Sequence, residues 1–321
     1  MKWVFMGSDP IALPLLNWLR DEAAEAVTIT AIYTQPDRPV GRGQKVVANE
    51  IKRWAVAHGI EVRQPVKLTP VEQAALAADQ PDLALVMAYG HILRDAFISV
   101  PRFGTVNLHA SLLPHLRGAS PIQCAIVNGD RETGISLMRI VRELDAGPVA
   151  DVERVDIAPL DTALDVEEKL AAACVPLIAR NLPALVEGKL TFASQDSSQA
   201  TFCRRLLKTD GGLDFSRTAG ELAARINGLY PWPSCHIELS GQTIKLGLAE
   251  AIADAGKPGQ VRVSPAGQLE IGTSQGHVRL LKLQRPGGRM LGAGEFLRGF
   301  PVPADTVVSS APMPDLITRK L

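Results

Sequence analysis

Apolar and polar positions follow two rhythms along this chain, and the change between them divides it. In the first two-thirds, short apolar runs such as Lys2 to Met6 and Val27 to Thr34 enclose a stretch where Ile11, Leu15, Trp18 and Leu19 recur at i, i+4, i+7 and i+8. The runs read as buried strands and the recurrence as an amphipathic helix, which together make a β-α-β unit. Pro14 fits that helix only in its first turn, so the helix should start just before it. DLALVMA (Asp82 to Ala88) and GTVNLH (Gly104 to His109) read as two more buried parallel strands, with no helix assigned to the segment between them. Thr162 and Asp165 have capping-box spacing and open a helix expected to reach about Glu187. A Rossmann-like, doubly wound parallel α/β sheet follows.

The polar run TFASQDSSQATF (Thr191 to Phe202) reads as a linker. Beyond it, Thr218 and Glu221 cap a helix with Leu222, Ile226 and Leu229 on one face. HIELSGQTIKLGLAEAIA and QLEIGTSQGHVRLLKLQ then alternate with the period of strands between Gly and Pro, as in a small β-barrel or meander. The expected division is 1–189 for the first domain, 190–206 for the linker and 207–321 for the second domain.

Composition narrows the class. At 321 residues and 46% hydrophobic, the chain can bury large cores and suggests two domains. No run of eighteen apolar residues appears and MKWVFMGSDP enters a strand directly, so a cytoplasmic location is expected. Cys124, Cys174, Cys203 and Cys235 are far apart and show no ligand spacing, which predicts buried thiols rather than disulfides or a zinc site. Net charge is zero, yet residues 204–321 hold 15 Lys+Arg against 10 Asp+Glu, net +5, leaving the rest at −5. The basic share suits a polyanionic partner, although solubility alone would also account for it.

In open parallel sheets, ligands sit at the carboxyl ends of the strands. VNLHASLLPHLRGASPI, Val106 to Ile122, places Asn107 and His109 at such an end, two residues apart and so on one face. An amide donor and an imidazole there can converge on one oxygen, as an oxyanion site requires. Spacing alone also allows Asn107 to cap a turn and His109 to be a satisfied core histidine. In RELDAGPV, Asp145 precedes Gly147-Pro148 in a turn between two strand-like runs; beside His109 it would keep the imidazole protonated, and otherwise it is a turn former. MGSDP is a strand-to-helix turn whose amides could hold an anion. It lacks the later glycines of GxGxxG, which argues against a dinucleotide enzyme. TQPDRPVGRGQK (Thr34 to Lys45) is a long loop with Arg38, Arg42 and Lys45 against Asp37 alone; a phosphate-rich partner and a plain solvated loop both suit it.

Taken together, VFMGSDP, TQPDRPVGRGQK, VMAYGHIL, NLHASLLPHLRGASPIQ, ETGISLM with LDAGPV, and LYPWPS resemble the methionyl-tRNA formyltransferase family over nearly the whole chain. The N-terminal motifs alone are shared by folate-dependent formyltransferases; the QPDRPVGRG loop with a PWP-containing second domain narrows the resemblance. It implies a formyltransferase fold with an OB-like C-terminal domain, 10-formyltetrahydrofolate as formyl donor and initiator methionyl-tRNA as acceptor; no metal, no membrane and a monomeric chain are expected beside it. It implies Asn107, His109 and Asp145 as catalytic residues. Ser111, Leu112, Leu113, Pro114, Val86, Tyr89, Gly90 and Ile92 would meet the folate, and Arg38, Arg42, Lys45 and Lys208 the tRNA. The chain departs from the family pattern at Arg94, where proline is usual, in MRIVREL, and in RRLLKTDGG, which has fewer lysines. The alternatives are a formyltransferase acting on an amino-sugar nucleotide and a non-catalytic RNA-binding module.

Overall fold

Strand Lys2–Gly7 runs through a seven-stranded sheet in the computed structural model, which describes residues 1–40, 43–264, 266–303 and 305–319. The strand order is Val149–Asp156, Glu132–Arg139, Thr105–His109, Leu83–Met87, Lys2–Gly7, Thr28–Tyr33, Glu61–Arg63. From Thr105–His109 to Glu61–Arg63 neighbouring strands are parallel, as the apolar runs predict. Glu132–Arg139 pairs antiparallel with Thr105–His109 and brings Ser136 opposite His109. The central strands are sealed on both faces, with Val4, Ala84, Val106 and Ile32 at most 1% exposed, which is why their sequences show no alternation.

Helix Leu13–Asp21 starts where Pro14 requires, after a 3-10 turn at Pro10–Ala12. The turn before it does not behave as an anion site. Asp9 Oδ1 accepts from the Ile11 amide at 3.1 Å, and the Ser8 amide donates to the Ala88 carbonyl at 3.2 Å, so the protein's own acceptors take these donors. A four-residue helix, Asp95–Ile98, occupies the segment left unassigned. Helix Ala163–Val186 opens as predicted, with the Thr162 amide and hydroxyl both reaching Asp165 Oδ2, at 2.8 and 2.5 Å. By length and composition alone it could cross a membrane. Val166, Leu170, Cys174, Leu177 and Ile178 are nevertheless buried at helical spacing, as on the inward face of a core helix.

The chain forms two compact units. One comprises Met1–Arg117, Gly134–Val155 and Glu168–Ala200, and the other Gly118–Thr133, Asp156–Glu167 and Thr201–Leu321. In the second, helix Ala219–Leu229 carries the predicted box, Thr218 amide to Glu221 at 2.8 Å and Glu221 amide to the Thr218 hydroxyl at 3.3 Å. It buries Leu222, Ile226 and Leu229. The six-stranded sheet there is antiparallel, ordered Cys235–Leu239, Gln242–Ile252, His277–Gln284, Leu269–Gly272, Val261–Val263, with Leu291–Gly292 pairing His277–Gln284, consistent with an OB-like domain. All four cysteines are buried and free, and burial pushes the Cys174 and Cys235 thiols up to about 12.

Strand register in this sheet lines up a charge row, Arg262 opposite Glu270, Glu270 opposite Arg279, and Arg279 opposite Glu250. Glu270 is 1% exposed and accepts from Arg262 and Arg279, both at 2.8 Å. Burial opposes its ionisation, but the two guanidinium hydrogen bonds prevail and hold its carboxyl below the ordinary value. A depressed carboxyl stabilises the fold above its unfolded value and loses that contribution as pH falls through the folded one, so acid should weaken this unit from about pH 4 downward. Glu270→Gln should lower unfolding stability at pH 7 by about 1–3 kcal/mol and flatten the acid loss. Urea midpoints at pH 7 and pH 4 check this, and equal midpoints for both proteins at pH 7 would discard the row as a stabilising feature.

Candidate active site

Strand Thr105–His109 delivers Asn107 and His109 to its carboxyl end on one face, while Val106 and Leu108 enter the core at 1% and 2% exposure. His109 is 6% exposed, and both ring nitrogens are addressed by the protein. Nε2 lies 2.9 Å from the Leu116 carbonyl, an acceptor only, so Nε2 carries a proton. Nδ1 lies 3.8 Å from Asp145 Oδ2, within ion-pair reach but longer than a hydrogen bond. Nδ1 is therefore the nitrogen left to donate to a substrate, and a small polar group or water could bridge it to the carboxylate. The Asn107 side chain, half-buried beside it, has no hydrogen-bond partner among the described residues. The turn before Gly147 thus brings the Asp145 carboxylate to within 3.8 Å of His109, and Asn107 lies two residues from that imidazole on the same strand face.

Two local devices set this geometry. Asp145 adopts φ +48°, in the left-handed region that Asp tolerates better than most side chains. A Cβ on Gly147 would lie 1.8 Å from the Arg139 carbonyl oxygen, so only glycine lets the turn close on that strand. On the other side, buried Ser136 donates to the Ser111 carbonyl at 2.7 Å and accepts from the Leu113 amide at 3.1 Å. This hydroxyl, absent from the sequence reading, pins the SLLP loop to the strand that pairs with His109. The signal that could reveal it is a polar residue in the otherwise apolar ISLMRI run.

The residues expected at the folate divide by exposure. Leu112, Leu113 and Pro114 are half-buried and Ile92 is 84% exposed, so two neighbouring parallel strands end in apolar side chains that an aromatic ring system could cover. Ser111, Val86 and Tyr89 are buried, the last two in the core cluster, and their main chain is engaged by the protein: Val86 pairs with Met6 and Asn107, the Ser111 amide donates to the His109 carbonyl, and the Tyr89 carbonyl accepts from Gln35; Gly90 is exposed. Arg38 and Lys45 are exposed on the hairpin Arg38–Val40 and Lys45–Val47, and Lys208 is exposed in the second unit. Arg42 lies outside the described residues. Asp37, the one carboxylate of the basic loop, is engaged at its root by Lys52 and Gln64, both at 2.7 Å, and these bonds hold its carboxyl below the usual range. Its charge is thus spent on the scaffold rather than on Arg38 or Lys45.

Fold and site together define an acyl-transfer enzyme of the formyl transferase class. Residues 1–181 match the family described as formyl transferase and residues 205–301 the formyl transferase C-terminal domain. The methionyl-tRNA formyltransferase of Methylococcus capsulatus is 40% identical over 300 residues, 92% of this chain and 96% of that one. That of Aromatoleum aromaticum is 40% identical over 305 residues, 95% of this chain and 96% of that one. The chain belongs to the methionyl-tRNA formyltransferase family. An N-formyltransferase from Helicobacter canadensis, solved with folinic acid and dTDP-3-aminofucose, shares the fold at TM-score 0.65 and 17% identity, covering 87% of this chain and 98% of that one.

Proposed function

We propose that this chain transfers the formyl group of 10-formyltetrahydrofolate to the α-amino group of methionyl initiator tRNA, giving N-formylmethionyl-tRNA for translation initiation. The observation that carries the reading is the pairing of His109 with Asp145 at 3.8 Å beside an Asn107 amide that has no hydrogen-bond partner among the described residues, in a chain that aligns over 92–95% of its length with enzymes of that name. The acceptor nitrogen bonds to the formyl carbon as the bond from that carbon to N10 of the donor breaks. Between these events the formyl oxygen carries negative charge, which Asn107 Nδ2–H and His109 Nδ1–H stabilise. Asp145, beside His109, receives the proton lost by the attacking amine, directly or through water, and that proton passes on to N10 as the C–N10 bond breaks, so the carboxylate is restored. Leu112, Leu113, Pro114 and Ile92 offer apolar cover to the folate, with Ser111, Val86, Tyr89 and Gly90 forming the strand ends behind it. The residues used are all side chains or main chain, so no metal is needed. The catalytic domain is 1–189 and the tRNA-binding domain 207–321, joined by 190–206, in a cytoplasmic monomer that needs no membrane.

The sugar-nucleotide alternative shares the fold at 17% identity, whereas the tRNA enzymes share 40% across almost the whole chain. Incubation with 10-formyltetrahydrofolate and methionyl-tRNA should yield acid-stable formylmethionine. Formylation of an amino-sugar nucleotide instead would overturn the acceptor and keep the chemistry.

Arg38, Arg42, Lys45 and Lys208 are assigned to the tRNA. A guanidinium can bridge two acceptors where a lysine cannot, so Arg42→Lys should impair formylation and Arg42→Ala should impair it further, by about 1–3 kcal/mol if Arg42 reads a base. Donor binding should stay near wild type. A plain phosphate contact would instead weaken all tRNAs alike and lower the salt slope by about one unit. Initiator and elongator methionyl-tRNA compared across a salt series separate the two, and unchanged rates with both would remove the loop from the substrate site.

A further inference from the structure

Both nitrogens of His109 face turns held in the left-handed region. Leu116, at φ +56°, presents its carbonyl to Nε2, and Asp145, at φ +48°, presents its carboxylate to Nδ1. A bulky apolar residue such as Leu116 rarely adopts this conformation, and it persists only where the surroundings hold it. One side chain ties the two turns together. Gln195 Nε2 donates to the Asp145 carbonyl at 2.8 Å and to the Gly147 carbonyl at 2.7 Å. Its Oε1 accepts from Arg117 Nη2 at 2.7 Å and Nε at 3.1 Å, and Arg117, 5% exposed, is the residue after Leu116. The amide has one possible orientation, since carbonyls can meet only its NH₂ and a guanidinium only its oxygen. Val149 and Ala193 exchange two backbone hydrogen bonds, of 2.9 and 2.8 Å, which lay the Gln195 segment along the Asp145 turn.

We propose that Gln195 is a positioning residue for formyl transfer, fixing the separation between the Asp145 carboxylate and His109 by clamping the main chain of both flanking turns. The inference rests on the reading of His109 and Asp145 as the proton-handling pair. The bonds form a closed circuit: His109 to Leu116, along the chain to Arg117, through Gln195 to Asp145, and across 3.8 Å back to His109. Opening it at Gln195 removes no reacting group but loosens the main chain of the turn that carries the carboxylate, and misplacement on the order of 1 Å can slow a reaction about 10²-fold.

Gln195→Glu keeps the shape and the Arg117 pair but sets a carboxylate against two carbonyls; Gln195→Ala removes all four bonds. For each, kcat for methionyl-tRNA formylation should fall about 10- to 100-fold, with KM for donor and tRNA within about twofold of wild type. In an Asp145→Ala background the same changes should cause almost no further loss, because the group being positioned is gone. A loss of equal size in that background would mark Gln195 as merely structural and overturn the proposal, as would wild-type kcat in both single variants. Should Gln195→Ala fold poorly, Gln195→Glu decides alone. Asp145→Asn assayed alongside separates the two levels: full activity there defeats the reading of the pair, whereas inactivity there with unaffected Gln195 variants defeats only the positioning role.

Discussion

Asp145→Asn should lower kcat by about 10²- to 10⁴-fold while leaving KM for donor and tRNA nearly unchanged. The substitution keeps the size of the side chain and every main-chain bond of the turn, including the two from Gln195, so what it removes is charge and proton-accepting capacity. Full opposite charges about 4 Å apart attract by roughly 4 kcal/mol at an effective dielectric constant near 20. The carboxylate stands 3.8 Å from Nδ1 of an imidazole that is 7% exposed, so solvent does little to screen the pair. An attraction of that size matches the middle of the expected rate loss. A kcat within threefold of wild type would show that Asp145 only shapes the turn.

Much of this arrangement is legible in the sequence, for identifiable reasons. The i, i+2 spacing of Asn107 and His109 after apolar Val106 carries the strand-end reading because side chains alternate along a strand, and neighbours on one face need no tertiary knowledge. The boxes at Thr162/Asp165 and Thr218/Glu221 are legible because each is closed within four residues. The approach of Asp145 to His109 crosses 36 positions and depends on Glu132–Arg139 turning antiparallel; a strand buried on both faces reads the same in either direction. The polar run containing Gln195 looks like linker for a related reason. Its composition, Ser, Gln, Thr and Asp, is equally that of a solvated segment and of one that spends a side chain on the main-chain carbonyls of a neighbouring turn. Left-handed φ at Leu116 leaves no trace at all, since nothing about a leucine announces that its carbonyl must be aimed at a ring nitrogen.

Asn107→Ala should reduce kcat by about 10²- to 10³-fold, equivalent to roughly 2.7–4 kcal/mol of transition-state stabilisation. The strand should survive the change. Its backbone bonds to Leu83–Met87 and Glu132–Arg139 are untouched, Val106 and Leu108 keep their places in the core, and the carboxamide contributes no hydrogen bond to the fold among the described residues. An amide dipole interacts weakly with a neutral formyl oxygen and strongly with an oxyanion, so its loss should fall on kcat rather than on KM. His109 alone cannot make up the difference, because its Nε2 proton is committed to the Leu116 carbonyl and only Nδ1 remains to face the oxygen. Asn107→Asp supplies the complementary test: the same shape, but an acceptor and a negative charge where a donor is required. It should be at least as slow as Asn107→Ala although it disturbs packing less. If both variants instead raise KM with kcat intact, Asn107 holds the ground state, and the oxyanion must be stabilised by other groups.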